Sequence, residues 1–440
     1  MSFQFVRRSG IAAACGLLLS LAPAHATNIQ RVVSPGGVEA WLVQDATVPI
    51  IAMEYAFAGG STQDPADKPG VANLVAGLLD EGAGELDAKT FRERLERRAI
   101  DISFSDSREY LRGSLRTLKE HRDEAFDLLR LALTQPRFDA EPLERGRAQV
   151  MATLRRQSSS PSDMASKRFF EIAFGTHPYA WPPSGTMESV PKITAEDIRG
   201  YVKRVLARDT VKISVVGDID AATLGTMLDR EFGALPAKAD LRPTVPIELQ
   251  VPPARVNVTL DVPQTVVLFG APGVNRSDPD FMSAFVLNHV LAGGMTSRLY
   301  REVREKRGLV YSISETLVWF RGSAFVMGST ATRADRTNDT IETTETEIRR
   351  IATEGPTQLE LDEAKSYLKG SQMLSLDTSS KIAGALLQYQ LDNLGIDYID
   401  RRNSLIDAVT LDDAKRVSKR LWDQKFLTVV VGRVAQPTAN

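Results

Sequence analysis

Apolar residues at Val71, Leu74, Val75, Leu78 and Leu79 fall at i, i+3, i+4, i+7 and i+8, the spacing of a helix that buries one stripe. The pattern predicts a helix over 70–82, with Asn73, Ala76, Gly77 and Asp80 on its opposite face. The same stripe returns 211 residues later as Met282, Phe285, Val286, His289 and Val290, and the two helices close on Gly82 and Gly293. Strand patterns recur as well. ARDTVKISVVGDI near residue 211 is matched at an offset of 215 by WDQKFLTVVVGRV near residue 426, and each reads as the last strand of a domain. VPIIAMEYAFAGGS pairs with TVVLFGAPGVNRS, and DAEPLERGRAQVMATL with TQLELDEAKSYLKGSQ. The chain therefore reads as a tandem of two similar halves.

Helical and strand patterns are mixed, which predicts an α+β fold: two similar α+β domains, each an antiparallel-rich sheet with helices packed on it. The expected organisation is a signal peptide at 1–26, an N-terminal domain at 27–235, a linker at 236–253 and a C-terminal domain at 254–440. The linker is inferred from PTVPIELQVPPA, a proline-rich stretch suited to extended chain. Composition supports a multidomain globular chain, because 440 residues with 43% hydrophobic content exceed one domain at ~150 residues each.

The first 26 residues carry Arg7 and Arg8, an apolar run from Ile11 to Leu21, and small residues at Ala24 and Ala26, the signature of a secretory signal cut after Ala26. That run is too short for a spanning helix, which needs ~20 residues. Periplasmic or secreted localisation is the consequence. Cleavage removes Cys15, the only cysteine, so the mature chain has no disulfide, cysteine nucleophile or cysteine-based zinc site. It also removes two positive charges and no negative one, taking the formal charge from −2 to −4, which leaves no footprint for nucleic acid.

The stretch GGSTQDPADKPGVANLVAGLLDEGAG, residues 59–84, resembles the metal-binding helix of the pitrilysin or insulinase-type metallopeptidases. In that family this face carries H-x-x-E-H, whose spacing lets two imidazoles hold one zinc while the Glu activates its water. The matching positions here are Asn73, Ala76 and Gly77, and the family's third ligand, a Glu on a later helix, aligns with Thr153. None of the four can replace an imidazole or carboxylate, so no metal is expected in this chain. The resemblance extends through FGTHPYAWPPSGTMESVPKITAEDIRGYVKRVLARDTVKISVVGDI to LAGGMTSRLYREVREKRGLVYSIS, residues 291–314. There the family has an Arg and a Tyr seven residues apart that reach substrate held at the zinc, which the resemblance places at Arg304 and Tyr311.

Gly308 should end the helix bearing Arg304 and Tyr311 should lie on the next strand, so the two side chains could project into one cleft. A guanidinium fork can grip a carbonyl or carboxylate, and a phenol can donate to an oxyanion. By themselves the residues also read as a solvated arginine among Arg301, Lys306 and Arg307 and an ordinary strand tyrosine. Other positions carry less chemistry. His289 falls on the apolar stripe and reads as a core histidine, His177 as a turn residue before Pro178, and His121 as a surface residue. Asp80 and Glu81 read as a solvated helix end, Gly293 and Gly294 as a helix stop, and RRQSSSPSD at 155–163 as a mobile loop.

The resemblance implies a non-catalytic, substrate-binding subunit of a heterodimeric zinc metallopeptidase. A homologous partner would bring H-x-x-E-H and zinc, this chain would bring Arg304 and Tyr311, and the substrate would be an extended peptide. The alternative is an inert scaffold or peptide-binding pseudopeptidase.

Overall fold

The computed structural model describes residues 28–252 and 255–433. The signal expected at 1–26 lies outside them. Strands β1 (Ile29–Val33), β2 (Glu39–Gln44), β3 (Ile50–Ala58), β4 (Asp101–Asp106), β5 (Tyr110–Leu118) and β6 (Lys212–Gly217) form a first sheet in the order β1-β2-β6-β3-β5-β4. A second sheet takes β7 (Val256–Thr259), β8 (Gln264–Pro272), β9 (Val310–Phe320), β10 (Ser323–Arg333) and β11 (Leu427–Gly432) in the order β7-β11-β8-β10-β9. Each sheet is antiparallel apart from one parallel joint, β2 with β6 and β7 with β11. The chain has two α+β domains. β4 and β9 are edge strands, each paired on one side only.

Helices of the first half are α1 (Val71–Ala76), α2 (Ala88–Arg97), α3 (Arg122–Thr134), α4 (Ala140–Gln157), α5 (Pro161–Phe174), α6 (Ala195–Val205) and α7 (Ala221–Phe232). Those of the second half are α8 (Phe281–Ala292), α9 (Thr337–Glu354), α10 (Gln358–Ser375), α11 (Ser379–Leu391), α12 (Tyr398–Asp407) and α13 (Leu411–Trp422). Alternation on β3 explains the first core. Ile51, Met53, Tyr55 and Phe57 point to one face, where the stripe of α1 meets α3 and α7. The corresponding core of the second sheet gathers α8, α9 and α13.

The opposite faces are covered by exchange. Phe169, Phe170 and Phe174 of α5 pack on Val266, Leu268, Val429 and Val431 of the second sheet. Ala383 and Leu386 of α11 pack on Trp41, Val43 and Val216 of the first. The segment 236–252 runs without helix or strand and is strapped to both halves. Gln63 and Arg242 exchange two hydrogen bonds, Ile247 N donates to Gly322 O, and Gln250 N donates to Ala173 O.

Two local expectations change. The stretch 155–163 is not a loop: α4 continues to Gln157 and α5 starts at Pro161, leaving three residues between them. Ser160 is the N-cap of α5, its hydroxyl accepting from Asp163 N, with Pro161 in the first helical position. The helix expected over 70–82 is regular only over Val71–Ala76 and caps at Gly77, where glycine's backbone entropy disfavours continuation. Turns carry Leu78 and Leu79 into the core, so the whole stripe is buried as the pattern required.

Candidate functional site

Helix α1 is short, and its N-terminus is anchored from inside. Asp64 is buried and accepts from Gly70 N at 2.7 Å and Ala72 N at 2.9 Å, satisfying amides that have no partner within the helix. Burial pushes its carboxyl up to about 7, against the pull of those amides. On the face the family uses for metal, half-buried Asn73 donates its amide to Asp106 Oδ1 at 2.9 Å, tying α1 to the end of edge strand β4. Burial raises the Asp106 carboxyl, and the Asn73 amide lowers it.

Ala76 is buried, Gly77 is exposed, and neither offers a donor atom. Thr153 lies on α4, its hydroxyl accepting from Arg156 of the same helix at 2.9 Å. These positions do not fit a zinc ion, since the one amide available is already spent on Asp106. Among the described residues no group of three or more His, Cys, Asp or Glu side chains is placed to hold a metal.

Asp80 and Glu81 are not the solvated end expected. Burial pushes Asp80 up to about 6, and Glu81 bridges Arg92 at 2.8 Å and Arg145 at 2.7 Å, joining α2 to α4. His289 is half-buried rather than in the core: it lies at the last turn of α8 and stacks on exposed Tyr367 at 4.5 Å, with burial lowering its pKa. His177 caps a short turn through Tyr179 N, and its Nε2 contacts Val245 O at 2.9 Å. Gly293 is the C-cap of α8; a Cβ there would lie 2.1 Å from His289 Nδ1.

Arg304 occupies a π-helical turn, Tyr300–Glu305, and Gly308 at φ 60 turns the chain into β9. Tyr311 is the second residue of that strand, so a helix end and a strand start meet. The Arg304 guanidinium carbon stands 5.1 Å from the Tyr311 ring centroid, a cation–π pairing. Tyr311 is 81% exposed, whereas Arg304 is half-buried and its Nε is buried without a partner. The sequence pattern missed Asp106 at the end of β4 and Arg108 in the turn that follows it, within SDSREY, a stretch without a motif of its own.

Fold and site define an insulinase-type chain whose metal helix lacks ligands. The chain belongs to the insulinase (M16) peptidase family: the family model described as Insulinase (Peptidase family M16) matches residues 41–186, and the one described as Peptidase M16 inactive domain matches residues 192–368. Among curated relatives, a protein of Helicobacter pylori named Non-peptidase homolog YmxG is 29% identical over 88% of this chain and 92% of its own length. One from Bacillus subtilis named Uncharacterized zinc protease YmxG is 25% identical over 92% of this chain and 98% of its own. A solved peptidase M16 inactive domain from Pseudomonas fluorescens superposes with a TM-score of 0.87 at 27% identity, covering 93% of this chain and 98% of that one. The chain is thus an M16-like homologue of the inactive kind.

Proposed function

We propose that the chain is the non-catalytic, substrate-binding subunit of a heterodimeric zinc metallopeptidase that hydrolyses unfolded peptides. The observation that carries this reading is the contrast between two positions. The metal face holds Asn73, Ala76 and Gly77, while Arg304 and Tyr311 stand together with the tyrosine largely open to solvent. The buried Arg304 Nε has no partner among the described residues, which leaves that edge of the guanidinium free for an acceptor. A homologous partner bears H-x-x-E-H and zinc; Arg304 grips the peptide carbonyl and the Tyr311 hydroxyl donates to the developing oxyanion. The pair works in the periplasm after removal of residues 1–26, and no described helix is long and apolar enough to cross a membrane. The matched strand orders of the two sheets support reading the chain as an internal repeat.

The test is reconstitution. Purified alone, the chain binds no stoichiometric zinc and cleaves no peptide, and adding a zinc-bearing homologue restores cleavage. In the mixture, Tyr311→Phe lowers kcat by on the order of 100-fold, as loss of an oxyanion donor does elsewhere. Full activity with both Arg304→Ala and Tyr311→Phe would favour the second reading, an inert scaffold or peptide-binding pseudopeptidase, which the name Non-peptidase homolog of the Helicobacter relative supports.

A further inference from the structure

A cavity of about 860 Å3 opens at the seam of the two halves, between the β4–β5 turn, the end of β9 and the C-terminal end of α11. Four arginines line it, Arg108, Arg112, Arg276 and Arg321, against two carboxylates, Glu109 and Asp392. Both carboxylates are engaged. Glu109 accepts from Tyr179 Oη at 2.5 Å and from Arg321 N at 2.9 Å. Asp392 accepts from Trp319 Nε1 at 3.0 Å and lies 4.0 Å from Arg276 Nε.

Arg108 has no such counterpart, and the acid whose charge reaches Arg112, Glu54, is itself held toward its neutral form by burial. Arg108 is held over the Phe170 ring at 3.7 Å and donates Nε to Tyr179 O at 2.9 Å, so its acceptor is neutral. Burial alone drives its pKa down to about 10, with no acid near enough to oppose the shift. Arg112 donates Nη2 to the amide oxygen of Gln388 at 2.9 Å, again a neutral partner. Buried charge without a counter-charge is costly unless something else supplies one. Here two guanidinium forks border open volume. Trp319 and Phe320 add apolar wall beside them.

We propose that this cavity is a binding site for the free C-terminal carboxylate of an extended peptide, with Arg108 and Arg112 as the recognising groups. A guanidinium pairs with a carboxylate through two parallel hydrogen bonds, and the apolar wall takes the side chain next to it. The volume falls within the range of pockets that enclose small ligands, roughly 300–1,000 Å3, so it accommodates a chain end and not a folded domain. The peptide part of this assignment rests on the function proposed above. Because binding by the isolated chain needs no partner, the two can fail separately.

The experiment is fluorescence anisotropy with the purified full-length chain and an N-terminally labelled hexapeptide ending in leucine, offered as free acid and as C-terminal amide. The free acid binds saturably and the amide at least about tenfold more weakly, the equivalent of one lost charge-assisted contact. Arg112→Gln weakens the free acid by about tenfold and leaves the amide unchanged. Arg108→Gln does the same where circular dichroism shows it folded, and the half-buried Arg112 variant carries the test if it is not. Equal binding of acid and amide, no binding of either, or an unchanged affinity in Arg112→Gln overturns the assignment. So does displacement of the peptide by inorganic phosphate at concentrations matching the peptide's own affinity, which would mark a general anion site.

Discussion

The two exchanged helices do the same task with different chemistry. α5 lies on the second sheet through aromatic rings: Phe174 stacks on Phe170 at 5.8 Å and meets Phe325 edge-on at 5.7 Å. α11 lies on the first sheet with a smaller apolar set and with buried polar contacts. Ser214 Oγ donates to Ala383 O at 2.6 Å, and Gln390 Nε2 donates to Ile213 O at 2.8 Å. Ring packing tolerates small adjustments because stacked and edge-on arrangements are both favourable, whereas a hydrogen bond to a helix carbonyl fixes where that helix sits. The first seam is therefore the more strongly held and the second the more exactly registered.

The largest effect should come from the aromatic seam. Phe174→Ala is expected to destabilise the chain by about 3–5 kcal/mol, read as a lower urea midpoint at constant slope. A loss below about 1 kcal/mol would mean that the rings merely fill space. Ser214→Ala comes next. It removes one hydrogen bond to the Ala383 carbonyl, which keeps its intrahelical donor, and should cost about 0.5–1.5 kcal/mol; a cost larger than that of Phe174→Ala would reverse the contrast between the seams.

The smallest expected effect is one of pH. Glu54 alternates with Met53 and Tyr55 on β3 and so faces α11, where burial pushes its carboxyl up from 4.5 to about 7. A raised folded-state value means that the folded chain holds the proton more tightly than the unfolded one. The contribution is complete below pH 4.5 and is lost as pH rises through 7. Its size is about 1 kcal/mol, because the carboxyl is partly open to solvent. Comparing urea midpoints at pH 5 and pH 8, Glu54→Gln should show a shallower decline than the parent chain; equal declines would remove Glu54 from the α11 seam.

Much of this was readable beforehand because it is local. The stripe from Val71 to Leu79 requires a buried face, and all five residues are at or below 2% exposure. Arg304 and Tyr311, seven residues apart across a glycine, meet because a helix end and a strand start are joined by one turn. What escaped depends on long-range placement. Asn73 and Asp106 are 33 residues apart and meet only once β4 runs along the edge of the sheet beside α1. The phenylalanines of α5 announce a buried face, but periodicity carries no information about which sheet will cover it. The serine run before α5 was legible in principle, since Ser160 followed by Pro161 is a helix-start signal, and composition concealed it.

Helix exchange also sets an order on synthesis. All strands of the first sheet lie at or before Gly217 in the chain, yet the outer face at Trp41, Val43 and Val216 has no cover until α11 follows, most of a domain later. During that interval a nascent chain carries a finished sheet with one greasy side open, the state that holdase chaperones recognise and that a truncated transcript would leave permanently exposed.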